Sequence, residues 1–286
     1  MADIRKRHKS TDTDSTASKS EETVIANVRA PTRKSSVTSL RIISRVSVIV
    51  SLLIIVYFST KNNNIKPFAK QSEIIPGRGL VVECSSDYFN EIRKYEGCYP
   101  FECKRFVTDK VVTPTEVDEL LGIAKKGLNL HSGALFVKLM FYLCLQVVKD
   151  KIKFAVAHHF GLNPNKLFLT HPTFFSRITS KKAVTVHDEY WHPHVDKETY
   201  KSFHYTTLLY LSDYGIDFEG GRFIFVDDKF NRTVEPRKGR VSMFTSGQEN
   251  LHYVEKVKSG IRYAMTISFT CDKTYAIEDP SLSKYD

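Results

Sequence analysis

Residues 205–211 read YTTLLYL and residues 262–270 read RYAMTISFT. Both are dense in β-branched, aromatic and aliphatic side chains, so both are expected as strands. Outward from them, similar short runs occur at 167–170, 173–178, 222–226, 241–245 and 252–257. Asp213, Gly215, Gly220-Gly221 and Gly239 supply turn signals between them. Regularly spaced strands with polar turns point to a sandwich or jelly roll. Upstream, Thr113-Pro114-Thr115-Glu116 opens a helix with a capping box and a proline at its first position. Leu120, Leu121 and Ala124 give that helix an apolar face, and Gly127 is its expected stop. Residues 135–145 are apolar almost throughout, 149–160 continue them with mixed charge, and Gly161 ends the run. A core helix packed on the sheet is expected there; Lys138 inside the run argues against a membrane span. His158-His159 close that helix, where cations suit the C-terminal dipole. The fold class is therefore α+β.

The chain has 286 residues, 42% hydrophobic and 12% aromatic, enough for one domain of ordinary size plus extra segments. Its formal net charge is +10, and about half lies in the first 45 residues. Residues 1–41 are rich in Ser, Thr, Lys and Arg without aromatics, and are expected as a disordered, solvated cytoplasmic tail; no nucleic-acid partner is expected. Residues 42–60 read IISRVSVIVSLLIIVYFST. That approaches the ~20 residues a membrane span needs. Arg45 can snorkel at one end, and Tyr57 and Phe58 suit the far interface. No small-residue cleavage site follows, so the segment reads as a single transmembrane anchor rather than a signal peptide.

The basic flanks differ little, with Arg29, Arg33, Lys34, Arg41 and Arg45 before the anchor and Lys61, Lys66, Lys70 and Arg78 after it. The sequon Asn231-Arg232-Thr233, with Asn231 as glycan acceptor, and the cluster Cys84, Cys98 and Cys103 favour a lumenal C-terminal side. The expected topology is a type II membrane protein of the endoplasmic reticulum or Golgi. Five cysteines leave at least one thiol free, and Cys144 reads as buried. Pairing among Cys84, Cys98, Cys103, Cys144 and Cys271 stays open. The expected segments are a tail (1–41), an anchor (42–60), a Cys-containing lumenal stem (61–112), a helical layer (113–165) and a β-rich domain (166–280).

Within that last segment stand His194-Val195-Asp196, then His252, then Arg262. Two histidines and one carboxylate fit the facial triad of a non-haem Fe(II) site, with coordination positions left open. Arg262 offers a permanently charged, planar, bidentate partner for a carboxylate such as that of 2-oxoglutarate. His194 and Asp196 share a side if they lie at a strand end; Arg262, Ala264 and Thr266 share one face by the same period, as do Thr206, Leu208 and Tyr210. Tyr210 and Thr266 are therefore further candidates for the co-substrate. An isolated H-x-D is common; its order and spacing with His252 and Arg262 on expected strands make the signal strong. No acid or base beyond the metal centre is assigned. Two other readings use the same residues: a zinc hydrolase, which leaves Arg262 unexplained, and a membrane-tethered binding module without turnover. His192 reads as a surface histidine, His187 and His204 as mouth residues or bystanders, and Trp191 as a core or rim aromatic.

The chain resembles the prolyl 4-hydroxylase-type 2-oxoglutarate/Fe(II) dioxygenases. The resemblance rests on residues 172–178 (PTFFSRI), 187–196 (HDEYWHPHVD), 205–211 (YTTLLYL), 220–223 (GGRF), 234–250 (VEPRKGRVSMFTSGQEN), 262–269 (RYAMTISF) and 277–280 (IEDP). YEGC at 95–98 matches upstream. Coverage is close over about 170–280 and loose over 80–130, with a departure at about 134–148, which is shorter and more apolar than the family pattern. The resemblance implies a double-stranded β-helix core with flanking helices, Fe(II) held by His194, Asp196 and His252, and 2-oxoglutarate anchored by Arg262. It also implies ascorbate dependence, type II topology, and hydroxylation of a protein or peptide side chain with release of succinate and CO2.

Overall fold

The computed structural model describes residues 36–61, 65–126, 135–185 and 188–277. The expectations for residues 1–35, Gly127, His187 and 278–280 lie outside the described residues. The elements in chain order are α1 (Ser36–Lys61), β1 (Ile65–Ala69), β2 (Arg78–Val81), α2 (Ser86–Ile92), β3 (Lys104–Thr108), α3 (Pro114–Lys126) and α4 (Leu135–Phe160). After them come β4 (Phe168–Thr179), α5 (Asp196–Thr199), β5 (Tyr205–Tyr210), β6 (Phe218–Gly220), β7 (Phe223–Phe225), β8 (Asn231–Val234), β9 (Val241–Thr245), β10 (His252–Val254) and β11 (Val257–Thr270).

Two sheets form. The larger runs β2-β3-β9-β5-β11-β4, with β6 pairing β11; the smaller runs β1-β8-β7-β10. The inner faces meet through Leu208, Tyr210, Phe244 and Ala264 on one side and Phe68, Phe223, Phe225 and Val234 on the other. The outer face of the larger sheet is covered by helices: Leu209, Met243, Met265 and Ile267 pack in one core with Leu120, Ile152, Val156 and Phe160. β5 therefore has an apolar layer on each side, and all six of its residues are buried. This explains why YTTLLYL lacks a polar face. The helical layer starts as expected: Thr113 N–H donates to Glu116 Oε2 (2.8 Å), and Glu116 N–H donates to Thr113 Oγ1 (3.3 Å). α4 runs through both halves of the expected helix and stops at Gly161, whose φ of +72° suits a residue without Cβ. His159 does not reach out to solvent at that helix end as a free cation would. It stacks on Phe106 at 3.7 Å, and burial lowers its pKa, which favours the neutral ring.

Residues 61–112 differ from the expected stem. β1 pairs in parallel with β8, and β3 sits between β2 and β9, so this segment completes both sheets. IKPFA, RGLV and KRFVT are too short and too mixed in charge to declare themselves as strands; β1 and β3 find partners over a hundred residues away, and β2 forms on the edge that β3 then offers. Two disulfides add to the tie. Cys84–Cys103 closes a local loop, and Cys98–Cys271 joins the segment to the end of β11 across 173 residues. A loop that long removes about 5 kcal/mol of unfolded-state freedom in the chain-entropy account. Cys144 is free and half-buried rather than fully buried as expected, and the desolvation it does meet pushes its thiol up to about 12.

α1, described by itself, contains the window Leu40–Tyr57, the one stretch among the described residues long and apolar enough to cross a membrane by length and composition. The helix begins at Ser36, inside the segment expected as tail.

Arg240 is the deepest lock between the upstream segment and the sheets. It is fully buried, and all five of its N–H donors find acceptors. Nε and Nη2 reach the Asp109 carboxylate at 2.8 and 3.0 Å; Nη1 meets the Lys70 and Glu235 carbonyls, and Nη2 also meets that of Glu73. Removing one partner strands the other charges and carbonyls. Arg240→Ala is expected to destabilise the chain by about 3–5 kcal/mol, read from the urea midpoint of the full chain in detergent.

Candidate metal centre

His194 and His252 are brought together by backbone pairing. His194 N–H donates to His252 O (2.9 Å) and His252 N–H to His194 O (3.1 Å), an isolated antiparallel bridge. Directly opposed residues project to the same face, so the two imidazoles lie 4.5 Å apart between centroids. The stretch 194–196 is not a full strand, as the spacing argument assumed. Val195 is extended (φ −111°, ψ 126°) and Asp196 already opens the short helical turn α5. One extended residue is enough to turn Asp196 to the side of His194. Asp196 Oδ1 lies 3.7 Å from both His194 Nε2 and His252 Nε2, and one donor atom from each of the three residues falls within 4.8 Å of the others.

The tautomers suit metal binding. His194 Nδ1 lies 3.0 Å from the His192 carbonyl, and His252 Nδ1 lies 2.8 Å from the Asn250 carbonyl. Each carbonyl must accept a proton from Nδ1, which leaves Nε2 bare and facing Asp196. His252 is enclosed by Phe223, Phe225 and Phe244. This burial lowers its pKa and so favours the neutral imidazole that metals require. His194 is the outer of the two imidazoles, with its side chain 41% exposed against 5% for His252.

The three donors open into a cavity of about 710 Å3 that Thr206, Leu208, Phe223, Val254, Arg262 and Thr266 also line. Arg262 reaches it from β11, where burial pulls the guanidinium below its usual pKa range. Its Nε donates to Gly221 O (3.0 Å). Gly221 sits at φ +64°, and a Cβ there would come within 3.1 Å of Arg262 Cδ; this accounts for the second glycine of the pair between the motifs. Arg262 Nη2 and Asp196 Oδ2 are both buried without a partner. A cation beside Asp196 and an anion beside Arg262 would satisfy both, so the residues fit Fe(II) and a dicarboxylate co-substrate. Thr266 lines the cavity. Tyr210 does not: its ring lies 5.5 Å from the Arg262 guanidinium carbon, and its hydroxyl is buried 3.4 Å from Ser242 Oγ. It supports the arginine instead of meeting the cavity, because β5 carries Tyr210 one step deeper between the sheets than Leu208.

Other histidines separate cleanly. His192 is exposed and paired with Glu189, and contributes only its carbonyl. His204 is not at the mouth. It is buried, accepts the Cys271 N–H at Nδ1 and meets Glu91 through Nε2, which helps hold the Glu91 carboxyl down at about 2. Sequence reasoning missed Arg105, the buried β3 residue whose Nε donates to Asn250 Oδ1 (2.7 Å) just ahead of His252. Only its placement in a short mixed-charge strand hinted at it.

The model of the 2OG-Fe(II) oxygenase superfamily matches residues 176–270, which include all four of these site residues. The 2-oxoglutarate and iron-dependent oxygenase domain-containing protein 3 of Mus musculus is 49% identical over 246 residues, covering 75% of this chain and 78% of that protein. The chain belongs to the 2OG-Fe(II) oxygenase superfamily. A 74-residue stretch is 42% identical to Homo sapiens prolyl 3-hydroxylase 2, covering 25% of this chain and 10% of that protein. A solved 2OG-Fe(II) oxygenase family oxidoreductase of Burkholderia pseudomallei aligns at TM-score 0.45 and 13% identity, over 66% of this chain and 93% of that one. This oxygenase is a 2-oxoglutarate- and Fe(II)-dependent dioxygenase.

Two substitutions test the assignment of the ligands. Asp196→Ala and His252→Ala are each expected to weaken Fe(II) binding by more than about 100-fold, beyond the loss typical of outer-shell partners, with the circular-dichroism spectrum unchanged. Equilibrium dialysis under anaerobic conditions reads the binding. Arg262→Lys loses a charge-assisted fork, and the KM for 2-oxoglutarate is expected to rise about 10–100-fold.

Proposed function

We propose that this dioxygenase hydroxylates a protein or peptide side chain, prolyl in the first instance, from the lumenal side of a membrane in which α1 anchors it. The observation that carries the reading is a pair of buried opposite charges, Asp196 and Arg262, that face one cavity, each with one polar atom left without a partner. In the bound state His194, Asp196 and His252 hold Fe(II), and Arg262 takes a carboxylate of 2-oxoglutarate. When bound, these groups supply the oxidation of a substrate C–H to C–OH, consuming O2 and releasing succinate and CO2. Ascorbate is the reductant that keeps the iron ferrous. The chain's own part is orientation and exclusion of water. Leu208, Phe223 and Val254 form apolar cavity walls, and the backbone carbonyls of 192 and 250 hold the imidazoles. No side chain is needed to move a proton.

Support for a prolyl substrate is the likeness of 74 residues to a prolyl 3-hydroxylase. Support for a lumenal setting is independent: two disulfides belong in an oxidising compartment, α1 can span a bilayer, and the sequon's Asn231 opens β8 partly exposed. The arrangement is that of a single-pass type II protein of the endoplasmic reticulum or Golgi.

With Fe(II), ascorbate and proline-containing peptides, the full chain in detergent is expected to form succinate and a peptide heavier by one oxygen atom. Succinate no higher than that of Asp196→Ala would defeat the reading. From secretory-competent cells the chain is expected to lose mass on endoglycosidase treatment, and Asn231→Gln to show no such shift.

A further inference from the structure

β10 separates two concavities. Val254 faces the catalytic cavity, and the alternation of the strand turns Tyr253 and Glu255 the other way. There a groove of about 340 Å3 opens, walled by Trp191, Tyr214 and Tyr253 and edged by Lys256 and Lys258. Arg222 and Glu255 also line it, but they neutralise each other through a two-bond pair at 2.8 and 2.7 Å. Lys256 Nζ lies 3.9 Å from the centre of the Trp191 ring. Both lysines are exposed, and neither meets a carboxylate among the described residues. The groove thus offers aromatic faces and two uncompensated cations.

The loop Tyr190-Trp191 joins groove and cavity. Tyr190 lines the cavity, and its hydroxyl accepts the Val257 N–H at 2.9 Å; Trp191 lines the groove. On the cavity side Lys181 and Lys182 add positive charge at the lining, while Asp188 accepts from the Val184 and Thr185 amides. Glu189, the other acid of that loop, is held by His192 and lines neither concavity.

We propose that the groove receives the acidic flank of the peptide substrate. An extended segment whose target side chain enters the cavity passes over Tyr190-Trp191 and lays Asp or Glu residues against Lys256 and Lys258. The proposal rests on the peptide reading above and adds the charge of the sequence chosen. Rim charges act mainly on encounter and selection, so the preference belongs in KM and depends on salt. Trp191, Tyr214 and Tyr253 supply the contact area that makes the docking more than electrostatic.

The test uses the full chain in detergent and three sets of proline-containing peptides, flanked by Asp/Glu, by Ser or by Lys. The acidic set is expected to show kcat/KM about tenfold above the Ser set at low salt, shrinking as salt rises. The double variant Lys256→Glu, Lys258→Glu is expected to lose that preference or turn it toward the Lys set, with peptide-independent 2-oxoglutarate turnover unchanged. Equal kcat/KM across the three sets in the unaltered chain would overturn the proposal and leave the peptide reading standing. An acidic preference that survives the charge reversal would remove it from this groove. Turnover of no peptide in any set would overturn the peptide reading and this inference together.

Discussion

Two backbone hydrogen bonds between His194 and His252 hold the site together. They lock residues 58 positions apart into direct opposition, and the pleat then sets both imidazoles on the inner face. A slip of one residue on either side would send a ligand out of the barrel. Once the bridge is formed, the carbonyls of 192 and 250 choose the tautomers, and the turn at Val195 brings Asp196 to meet both rings. The metal chemistry is therefore organised by main-chain geometry, with the side chains following.

The bridge in turn needs the upstream segment. Arg105 of β3 donates to Asn250, to Asp227 and to the Glu249 carbonyl while lying over the Phe225 ring. Asn250 passes the constraint on: its amide holds Thr245 and its carbonyl holds His252. A charge buried this deeply is costly unless its donors are matched, and Arg105 and Arg240 both sit at the centres of acceptor clusters. The Cys98–Cys271 bond ties the same segment to β11, the strand of Arg262. Segment 65–108 thereby supports both halves of the site, metal and co-substrate.

Against these satisfied arginines, Arg262 is the contrast. It has a carbonyl, an aromatic face beneath it and no carboxylate among the described residues. Asp196 likewise keeps one oxygen unpartnered. Leaving such groups unmatched costs about 1–3 kcal/mol each, and more for charges, so the fold keeps them for a reason outside itself. Ligands of opposite charge supply that reason and make binding to this cavity selective.

The linear order H-x-D, His, Arg pointed to the reaction class and to the donors that the fold brings together, because a metal and a carboxylate each demand donor types that few residues provide. Thr113 and Glu116, Gly161, and the long runs of β5 and β11 were legible too, since caps, left-handed turns and apolar layers depend on neighbours close in the chain. Short strands β1, β2 and β3 were not, nor were the depth of Tyr210, the burial of His204 or the reach of Arg105. Each of these is decided by a partner distant in the chain, by an edge that such a pairing creates (β2 on β3), or by which side of a sheet another layer covers, and local composition carries no record of any of them. Sequence alone determined what the site is made of; the tertiary pairing decided where it stands and what holds it, because register and burial exist only between segments.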